Sequence, residues 1–369
     1  MLCKRIRNGY NWIQKDIATL RDLAPKRRIS AEMLKLIASL DEFKGQWHVF
    51  KRLSRDQLLQ LKKIATIESI GSSTRIEGSR LSDQQVASLL SGLKIQEFKD
   101  RDEQEVAGYA SAMDTVFESF EHIPATENHI RELHRTLLQH SKKDERHRGN
   151  YRTLENHVAA FDASGKQLGI VFETATPFET PACMARLVEW TAEAERDQVL
   201  HPLLIIAVFV VWFLAIHPFQ DGNGRLSRVL TTLLLLRHGY GYVSHSSLES
   251  VIEENKEFYY KALRRTQSTL RSGFVDWESW LLFFLRCLVR QKENLTARIE
   301  VEGQRLESTS PLGAAVLRML DDANRITLAD AVKATGANRN TLKVRINELV
   351  NLGFLIRNGR GRGVFYTKG

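Results

Sequence analysis

The chain has 369 residues, with 43% hydrophobic and 26% charged residues and a formal net charge of +9. This composition is typical of a globular protein, and the length allows two domains with a sizeable core in the larger one. The three cysteines are odd in number and far apart, so they argue against a disulfide framework and a zinc site.

The sequence also argues against a membrane span. The strongly apolar segment Leu203–Ile216 has 14 residues, fewer than the roughly 18–20 that cross a bilayer. It therefore predicts a buried core helix. The N-terminal residues include basic side chains but no apolar stretch after them, so no secretory signal is visible. We expect a cytoplasmic protein without a membrane partner.

The first part of the chain carries apolar residues at helical spacing and predicts an N-terminal helical region. Its last helix, Leu58–Ile70, would end at Gly71. The next segment, Ser73–Gly78, is by itself typical of a boundary between a turn and a helix. On that interpretation Glu77 is a capping or solvated carboxylate.

Further helices are predicted after this boundary. Amphipathic stretches lie at Leu81–Leu93, Asp102–Phe120 and Thr126–Gln139. His134 lies on the third of them, and we interpret it as a packing residue rather than a catalyst.

One segment in the middle of the chain has strand character. Asp162–Gly165 is a turn between apolar and β-branched residues, and Gln167–Phe172 suits a short strand. Together they predict a β-hairpin. Helical spacing returns at Pro177–Arg196.

The most informative stretch is His217–Arg228, which reads HPFQDGNGRLSR. Gly222 and Gly224 permit positive φ angles and close approach of a ligand. If the next helix begins near Gly224, its free N–H groups point back into the loop and form an anion site. The backbone of this loop thus suits a phosphate group.

The side chains of the same stretch suit chemistry on that phosphate. Arg225 and Arg228 are three residues apart, so on a helix both can reach one anion. Asp221 is an oxygen ligand of the kind that Mg²⁺ prefers beside phosphates, and His217 can accept a proton near neutral pH. Together they predict phosphoryl or nucleotidyl transfer. A purely structural helix–loop–helix turn would explain one or two of these residues but not the set.

This stretch resembles the signature of Fic proteins, His-x-Phe-x-Asp/Glu-Gly-Asn-Gly-Arg-x-x-Arg, with every specified position filled. The resemblance covers about residues 70–290. It implies a mainly α, Fic-type helical core that transfers AMP from ATP, with Mg²⁺, to a Ser, Thr or Tyr hydroxyl of a protein. It implies His217 as the catalytic base, Asp221 as the magnesium ligand, and Gly222, Asn223, Gly224, Arg225 and Arg228 as nucleotide contacts.

Ser73–Gly78 is similar to the inhibitory motif of the Fic class that carries it N-terminal to the core. The resemblance implies an inhibitory role for Ser73, Glu77 and Gly78. The Glu77 carboxylate would pair with Arg228 and occupy a guanidinium that the γ-phosphate of ATP otherwise uses.

The resemblance implies two further features of the core. The hairpin corresponds to a flap that holds the target protein by strand addition, and the residues concerned are Leu168, Gly169, Ile170 and Val171. Tyr259 and Tyr260, on a helix predicted at Glu253–Thr269, match a position for an aromatic near the adenine. Ordinary core packing is the competing interpretation for this pair.

The end of the chain resembles a winged helix domain. Helices are predicted at Leu312–Leu320, Thr327–Thr335 and Asn338–Leu352, before a hairpin with a basic, glycine-rich tip. From Pro311 onwards the chain carries ten basic and four acidic residues. This excess favours DNA as a partner, with Arg339, Asn340, Lys343 and Arg345 on the recognition helix and Arg360 and Arg362 on the wing, and protein contacts as the alternative.

The predicted organisation has four parts: an N-terminal helical region (1–70), a Fic core with its inhibitory motif (71–290), a linker helix (291–310) and a winged helix domain (311–369). Two functional alternatives stay open. The same site could remove AMP from a modified protein, or the chain could be a DNA-binding regulator whose core senses a nucleotide. Kinases of the related Doc type have Lys where this chain has Gly224, which argues against kinase activity. A homodimer is also left open.

Overall fold

The computed structural model of the protein describes residues 29–47, 55–92, 98, 100–156, 158–161, 167–172, 174–198, 200–270, 275–307, 310–323, 325–351 and 353–368. The first part of the predicted N-terminal helical region, residues 1–28, and the hairpin turn Asp162–Gly165 lie outside these residues. The described residues form two compact units, which divide within Arg55–Ile76 and again after Lys292. The larger unit holds the Fic-like stretch, and the smaller one is mostly the C-terminal part.

The protein is mainly helical, as predicted. The helices before the hairpin are α1 (Ala31–Trp47), α2 (Arg55–Ile76), α3 (Asp83–Ser91), α4 (Arg101–Ser119) and α5 (Glu127–Leu137). After the hairpin come α6 (Thr180–Asp197), α7 (Pro202–Ile216), α8 (Asn223–Arg237), α9 (Leu248–Glu254), α10 (Lys256–Thr269) and α11 (Trp277–Glu307). The C-terminal helices are α12 (Pro311–Asp322), α13 (Leu328–Thr335) and α14 (Arg339–Asn351), and the hairpins are β1 (Val158–Phe161) with β2 (Gln167–Phe172), and β3 (Leu355–Asn358) with β4 (Phe365–Lys368).

α7 is the central helix of the larger unit. Every residue from Leu203 to Ile216 is buried, as the sequence predicted. Pro202 occupies its first turn, where a missing N–H costs nothing, and the His201 side chain accepts a hydrogen bond from the Leu203 N–H. Helices α6, α8 and α10 pack against it. In the described part of the chain no helix is long and apolar enough to cross a membrane.

The predicted end of a helix at Gly71 is wrong, because α2 continues to Ile76. A Cβ at Gly71 would collide with the Arg75 guanidinium, so this glycine makes room for a side chain one turn later. The helix ends instead before Gly78, which has a φ of 110°. No break therefore marks residue 70, the predicted edge of the N-terminal region.

Two other boundaries differ from the prediction. The helix predicted at Glu253–Thr269 is divided at Asn255, whose Nδ2 donates to the Val251 carbonyl at 2.8 Å and caps α9. The predicted linker 291–310 is largely the second half of α11, which runs without interruption from Trp277 to Glu307.

The C-terminal unit has its own hydrophobic core. Its three helices and its hairpin occur in the predicted order, and an isolated bridge pairs Ile326 with Tyr366 of β4. Leu342, Ile346 and Leu349 of α14 face this core and are buried. The opposite face of α14 is exposed.

Candidate active site

The loop between α7 and α8 begins at a strained residue. His217 ends α7 in the left-handed conformation, with a φ of 54°. In the described part of the chain, Gln198 is the only other non-glycine residue with a positive φ. Such a backbone costs roughly 1–2 kcal/mol and persists only where its surroundings enforce it. His217 lines a cavity of about 390 Å³ together with Asp221, Gly224 and Arg225.

The carbonyl groups of this loop are bound by residues from outside it. The N–H of Arg152 donates to the Pro218 carbonyl at 2.9 Å. Nδ2 of Asn156 donates to the Gln220 carbonyl, also at 2.9 Å. These bonds hold the loop in shape and satisfy carbonyl oxygens that would repel an anion.

His134 provides a third such contact. Its Nε2 lies 2.9 Å from the Asp221 carbonyl, while the N–H of Gly149 donates to Nδ1 at 2.8 Å. We assign the proton to Nε2, because Nδ1 must accept. The ring stacks on Phe219 at 3.7 Å, and burial lowers the pKa of His134 to about 4. The side chain is a neutral structural donor, in line with its predicted packing role.

α8 begins at Asn223, close to the start that the sequence predicted. Its N-cap is Gly222, with a φ of 78°, and no side chain caps the helix. The first helical hydrogen bond is from the Leu226 N–H to the Gly222 carbonyl at 2.8 Å. The N–H groups of the first turn carry the positive end of the helix dipole at the cavity.

The side chain of Asn223 closes the loop. Its Oδ1 accepts from the Phe219 N–H at 2.9 Å, and its Nδ2 donates to the Phe219 carbonyl at 2.8 Å. These two bonds join the start of α8 to Phe219. The predicted contact of Asn223 with a nucleotide stays a prediction.

The environment of His217 keeps its imidazole neutral. Burial, followed by the positive charge of Arg152, lowers the pKa of His217 to about 4. A neutral imidazole is the form that can accept a proton from a hydroxyl.

Asp221 is ionised and held between two arginines. Its Oδ1 accepts from Arg225 Nη2 at 3.1 Å, and its Oδ2 accepts from Arg101 Nη2 at 2.6 Å. Burial disfavours the charged carboxylate, but the two guanidinium groups outweigh burial and lower the pKa of Asp221. Arg225 and Arg228 do not share a partner, because Arg225 pairs with Asp221 and Glu105.

The last turn of α2 lies against Arg228. Arg228 Nη2 donates to Glu77 Oε1 at 2.8 Å, and Arg228 Nε donates to the Ser73 hydroxyl at 2.8 Å. Burial disfavours the Arg228 charge, but Glu77 raises the pKa of the guanidinium above its usual range. A Cβ on Gly224 would overlap the Glu77 carboxylate, so the glycine lets this carboxylate reach the start of α8. The predicted pairing of Glu77 with Arg228 is present.

Arg75 holds this turn in place. Its guanidinium makes a two-point contact with Glu253, at 2.7 and 2.9 Å, and donates to Asp83 at 2.8 Å. The turn that carries Glu77 is thereby tied to α3 and α9.

The two tyrosines do not line the His217 cavity. Tyr259 is buried beside Arg228 and packs edge-on against Trp280 at 5.8 Å, and burial raises the pKa of Tyr259 to about 12. Tyr260 lines a separate, open cavity of about 960 Å³. Their contact with an adenine stays a prediction.

The base of the first hairpin is anchored beside the loop between α7 and α8. Beyond β2, Thr174 donates to the Asn156 carbonyl at 2.9 Å and accepts from Arg152 at 2.8 Å. β2 carries the predicted flap residues Leu168–Val171, and it pairs antiparallel with β1, with Gly169 opposite Ala160. The two ends of the hairpin therefore lie next to the loop that carries His217.

Comparisons with known proteins agree with this arrangement. Residues 123–235 match the model of the Fic/DOC family, and this match includes α7, the loop after it and α8 as far as Leu235. Protein adenylyltransferase Fic of Drosophila melanogaster is 32% identical over 189 residues, which are 51% of this chain. The matched residues, 123–235, therefore resemble a Fic domain.

Solved Fic structures extend the likeness beyond the matched segment. A Fic domain containing signaling protein from Bacteroides thetaiotaomicron is 26% identical, with a TM-score of 0.55 over 72% of this chain and 94% of that one. A Fic family protein from Desulfovibrio desulfuricans shares the fold, with 21% identity and a TM-score of 0.60 over 94% of this chain and 98% of that one. The chain spans about a third of the length of the Drosophila relative, 36%.

Four residues at the candidate site were missed from the sequence. Glu105 lies on the predicted amphipathic helix Asp102–Phe120 and Arg101 directly precedes it, and in the sequence both are indistinguishable from solvated charges. Arg152 and Asn156 lie in a non-helical segment without any motif. Only the fold brings them to the loop.

Proposed function

We propose that this protein is a protein adenylyltransferase that moves AMP from ATP to a Ser, Thr or Tyr hydroxyl of a protein. The observation that carries the proposal is the convergence of His217, ionised Asp221 and the uncapped start of α8 on one cavity. The names of the curated relatives support the reaction.

His217 acts as the general base. It takes the proton of the target hydroxyl while the hydroxyl oxygen bonds to the α-phosphorus, and the bond from that phosphorus to the pyrophosphate oxygen breaks. Phosphates bound at the start of α8 add negative charge nearby, which favours the imidazolium that forms. The protein contributes mainly positioning and charge stabilisation, and no covalent intermediate is required.

The first turn of α8 holds the phosphates. Its N–H groups, with Gly222 and Gly224 allowing close approach, bind the oxygens of the phosphate chain. Arg225 reaches the β-phosphate region, and Arg228 takes the γ-phosphate once Glu77 has left it. These roles use the guanidinium groups that border the start of the helix.

The residues fit Mg²⁺ only together with the nucleotide. Among the described residues no three His, Cys, Asp or Glu side chains could jointly hold a metal. Asp221 is an ionised oxygen ligand in the cavity, and phosphates and water would complete the coordination. When bound there, Mg²⁺ neutralises charge on the phosphates that Asp221 faces.

Glu77 inhibits the reaction in this proposal. Its carboxylate pairs with Arg228 and lies over Gly224. It therefore fills the space that a γ-phosphate needs and neutralises the guanidinium that would bind it. Two anions cannot share this site, because their repulsion is strong where water is excluded. ATP then binds in a pose unsuited to attack, or binds weakly.

The hairpin presents the target protein. Each strand of the β1–β2 pair has one free edge within the described residues, so an extended target segment can add to it by backbone hydrogen bonds. The anchoring of the hairpin beside the catalytic loop would place the target hydroxyl near His217.

Incubation with α-labelled ATP and Mg²⁺ tests the proposal. We expect Glu77→Gly to raise label transfer to protein, including self-labelling, and His217→Ala to abolish it. Glu77→Gln keeps the shape but not the charge, and an intermediate effect is expected. If Glu77→Gly labels no better than the unmodified protein, inhibition by Glu77 is wrong; if no variant transfers label to any protein, adenylylation is wrong.

Removal of AMP is a second candidate reaction for the same site. The Glu77 carboxylate lines the cavity with His217 and Asp221, where it could align a water for hydrolysis. Release of AMP from a pre-labelled protein, lost in Glu77→Gly, would support it. Label that stays bound in the unmodified protein would exclude it.

DNA binding is proposed for the C-terminal unit. Arg339 and Lys343 of α14, with Arg357 and Arg360 of the hairpin, are exposed and form no ion pair with other described residues. Such cations suit phosphate contacts. In a mobility-shift assay with and without ATP, Lys343→Glu should weaken binding more than Lys333→Glu on α13. An equal loss of binding in the two variants would contradict DNA binding by this surface. DNA-linked regulation that is retained in His217→Ala would favour a nucleotide sensor over an enzyme.

A further inference from the structure

Asp221 belongs to a closed ring of four alternating charges at the rim of the cavity. Arg101 Nε pairs with Glu105 at 2.7 Å, and Arg101 Nη2 pairs with Asp221 at 2.6 Å. Arg225 completes the ring through Glu105 and Asp221, both at 3.1 Å. The ring joins the first turns of α4 and α8.

The four members differ in how firmly they are held. The side chain of Arg225 is 2% exposed and that of Glu105 is 11% exposed, whereas that of Arg101 is 49% exposed. A half-exposed ion pair contributes little to stability, so Arg101 can leave the ring at small cost. Arg225 cannot leave without losing its burial.

The charges indicate what Arg101 replaces. Without Arg101, the ring holds two carboxylates and one guanidinium, and therefore one uncompensated negative charge in the cavity. Asp221 Oδ1 already accepts from Arg225 and from the Gly222 N–H. Its Oδ2 accepts only from Arg101 among the described residues, so a cation can reach Asp221 most easily by displacing Arg101.

We propose that Arg101 is a resident counter-ion of Asp221 that makes the site select a metal–polyphosphate complex over a free divalent metal. The inference rests on the proposed role of Asp221 as the metal carboxylate. A free metal must displace Arg101 and leaves its guanidinium without a partner at Asp221. A metal that arrives with polyphosphate brings anionic oxygens, which take up the released guanidinium while Glu105 still tethers it.

The proposal predicts opposite effects of one substitution on two ligands. In Arg101→Gln, the Kd for free Mn²⁺, followed by the loss of its electron paramagnetic resonance signal, should fall about tenfold. The Kd for Mn²⁺ with an α,β-methylene analogue of ATP, measured by calorimetry, should rise several-fold. Arg101→Lys keeps one charge and should lie between Arg101→Gln and the unmodified protein for both ligands.

Arg135→Gln is the matched control, because Arg135 has the same 49% exposure and also pairs with a glutamate, Glu132. It should change neither Kd. Equal or parallel changes of the two Kd values in Arg101→Gln would overturn the proposal.

Asp221→Asn separates this failure from that of the proposed function. If Asp221→Asn leaves binding of the Mn²⁺–analogue complex unchanged, Asp221 is not the metal ligand. If it abolishes that binding while Arg101→Gln has no effect, only the inference about Arg101 falls.

Discussion

At the scale of single residues, the site depends on charges placed beside His217. The imidazole is neutral because it is buried and because Arg152 lies nearby, and these causes lower its pKa to about 4. Arg152 also donates to Thr174 and binds the loop through its N–H. One buried cation thus shapes the loop and lowers the pKa of the imidazole within it.

Replacing Arg152 should raise the pKa of His217. In Arg152→Met the pKa should move up from about 4 towards 6.5 and stay below 6.5, because burial remains. NMR titration of the His217 ring in the folded variant measures it, and the acid limb of the activity profile should shift to higher pH with it. Arg152→Lys, which keeps the charge, should leave the pKa near 4, and an unchanged value in Arg152→Met would contradict the electrostatic explanation.

At the scale of elements, two close contacts between helices position the site. The last turn of α2 meets the first turn of α8 at Glu77 and Gly224, where a side chain on the glycine would not fit. α5, which carries His134, contacts α4, and a Cβ on Gly108 of α4 would overlap the Leu137 carbonyl. Glycines thus allow backbones to approach at both contacts.

Two glycine substitutions should have opposite effects on stability. Gly108→Ala should lower the free energy of unfolding by roughly 1–3 kcal/mol, because the methyl group overpacks the α4–α5 contact. Gly45→Ala on α1, where nothing lies within 4 Å of the new Cβ, should raise the free energy of unfolding by roughly 0.5–1 kcal/mol. Urea denaturation followed by circular dichroism compares them, and effects of the same sign would refute the packing argument.

At the scale of the whole molecule, buried histidines link stability to pH. Burial lowers the pKa values of His134, His217 and His245 to about 4. In the unfolded chain each returns to about 6.5. The unfolded state therefore binds more protons than the folded state between pH 6.5 and 4. The contribution of these histidines to the free energy of unfolding is complete above pH 6.5 and is lost as the pH falls through this window.

Each of these histidines should contribute a slope of up to about 1.4 kcal/mol per pH unit within that window. The urea midpoint should fall between pH 6.5 and 4, and His245→Gln should reduce the slope, because one titrating group is removed. His245 lies away from the cavity, next to Trp47, so it tests stability without altering the base. An unchanged slope in His245→Gln would show that its pKa is not lowered by folding.

Much of the fold and the chemistry could be predicted from the sequence. Leu203–Ile216 is apolar enough to be a core helix in any fold, and the residues from His217 to Arg228 combine a base, an acid and two glycines beside a helix start. These features are local, because spacing along the chain and backbone preference decide them. The end of α2 was misplaced because Gly71 serves a side-chain contact rather than a helix end.

The sequence by itself determined the imidazole, the carboxylate and the helix start of the site, because twelve neighbouring residues supply them. Only the tertiary structure decided which partners those groups meet. Arg101 reaches Asp221 across 120 residues, His134 reaches its carbonyl across 87, and Ser73 reaches Arg228 across 155. Such pairings depend on how helices pack, and nothing in the local pattern of a helix specifies which charged residue on its surface will face a distant loop.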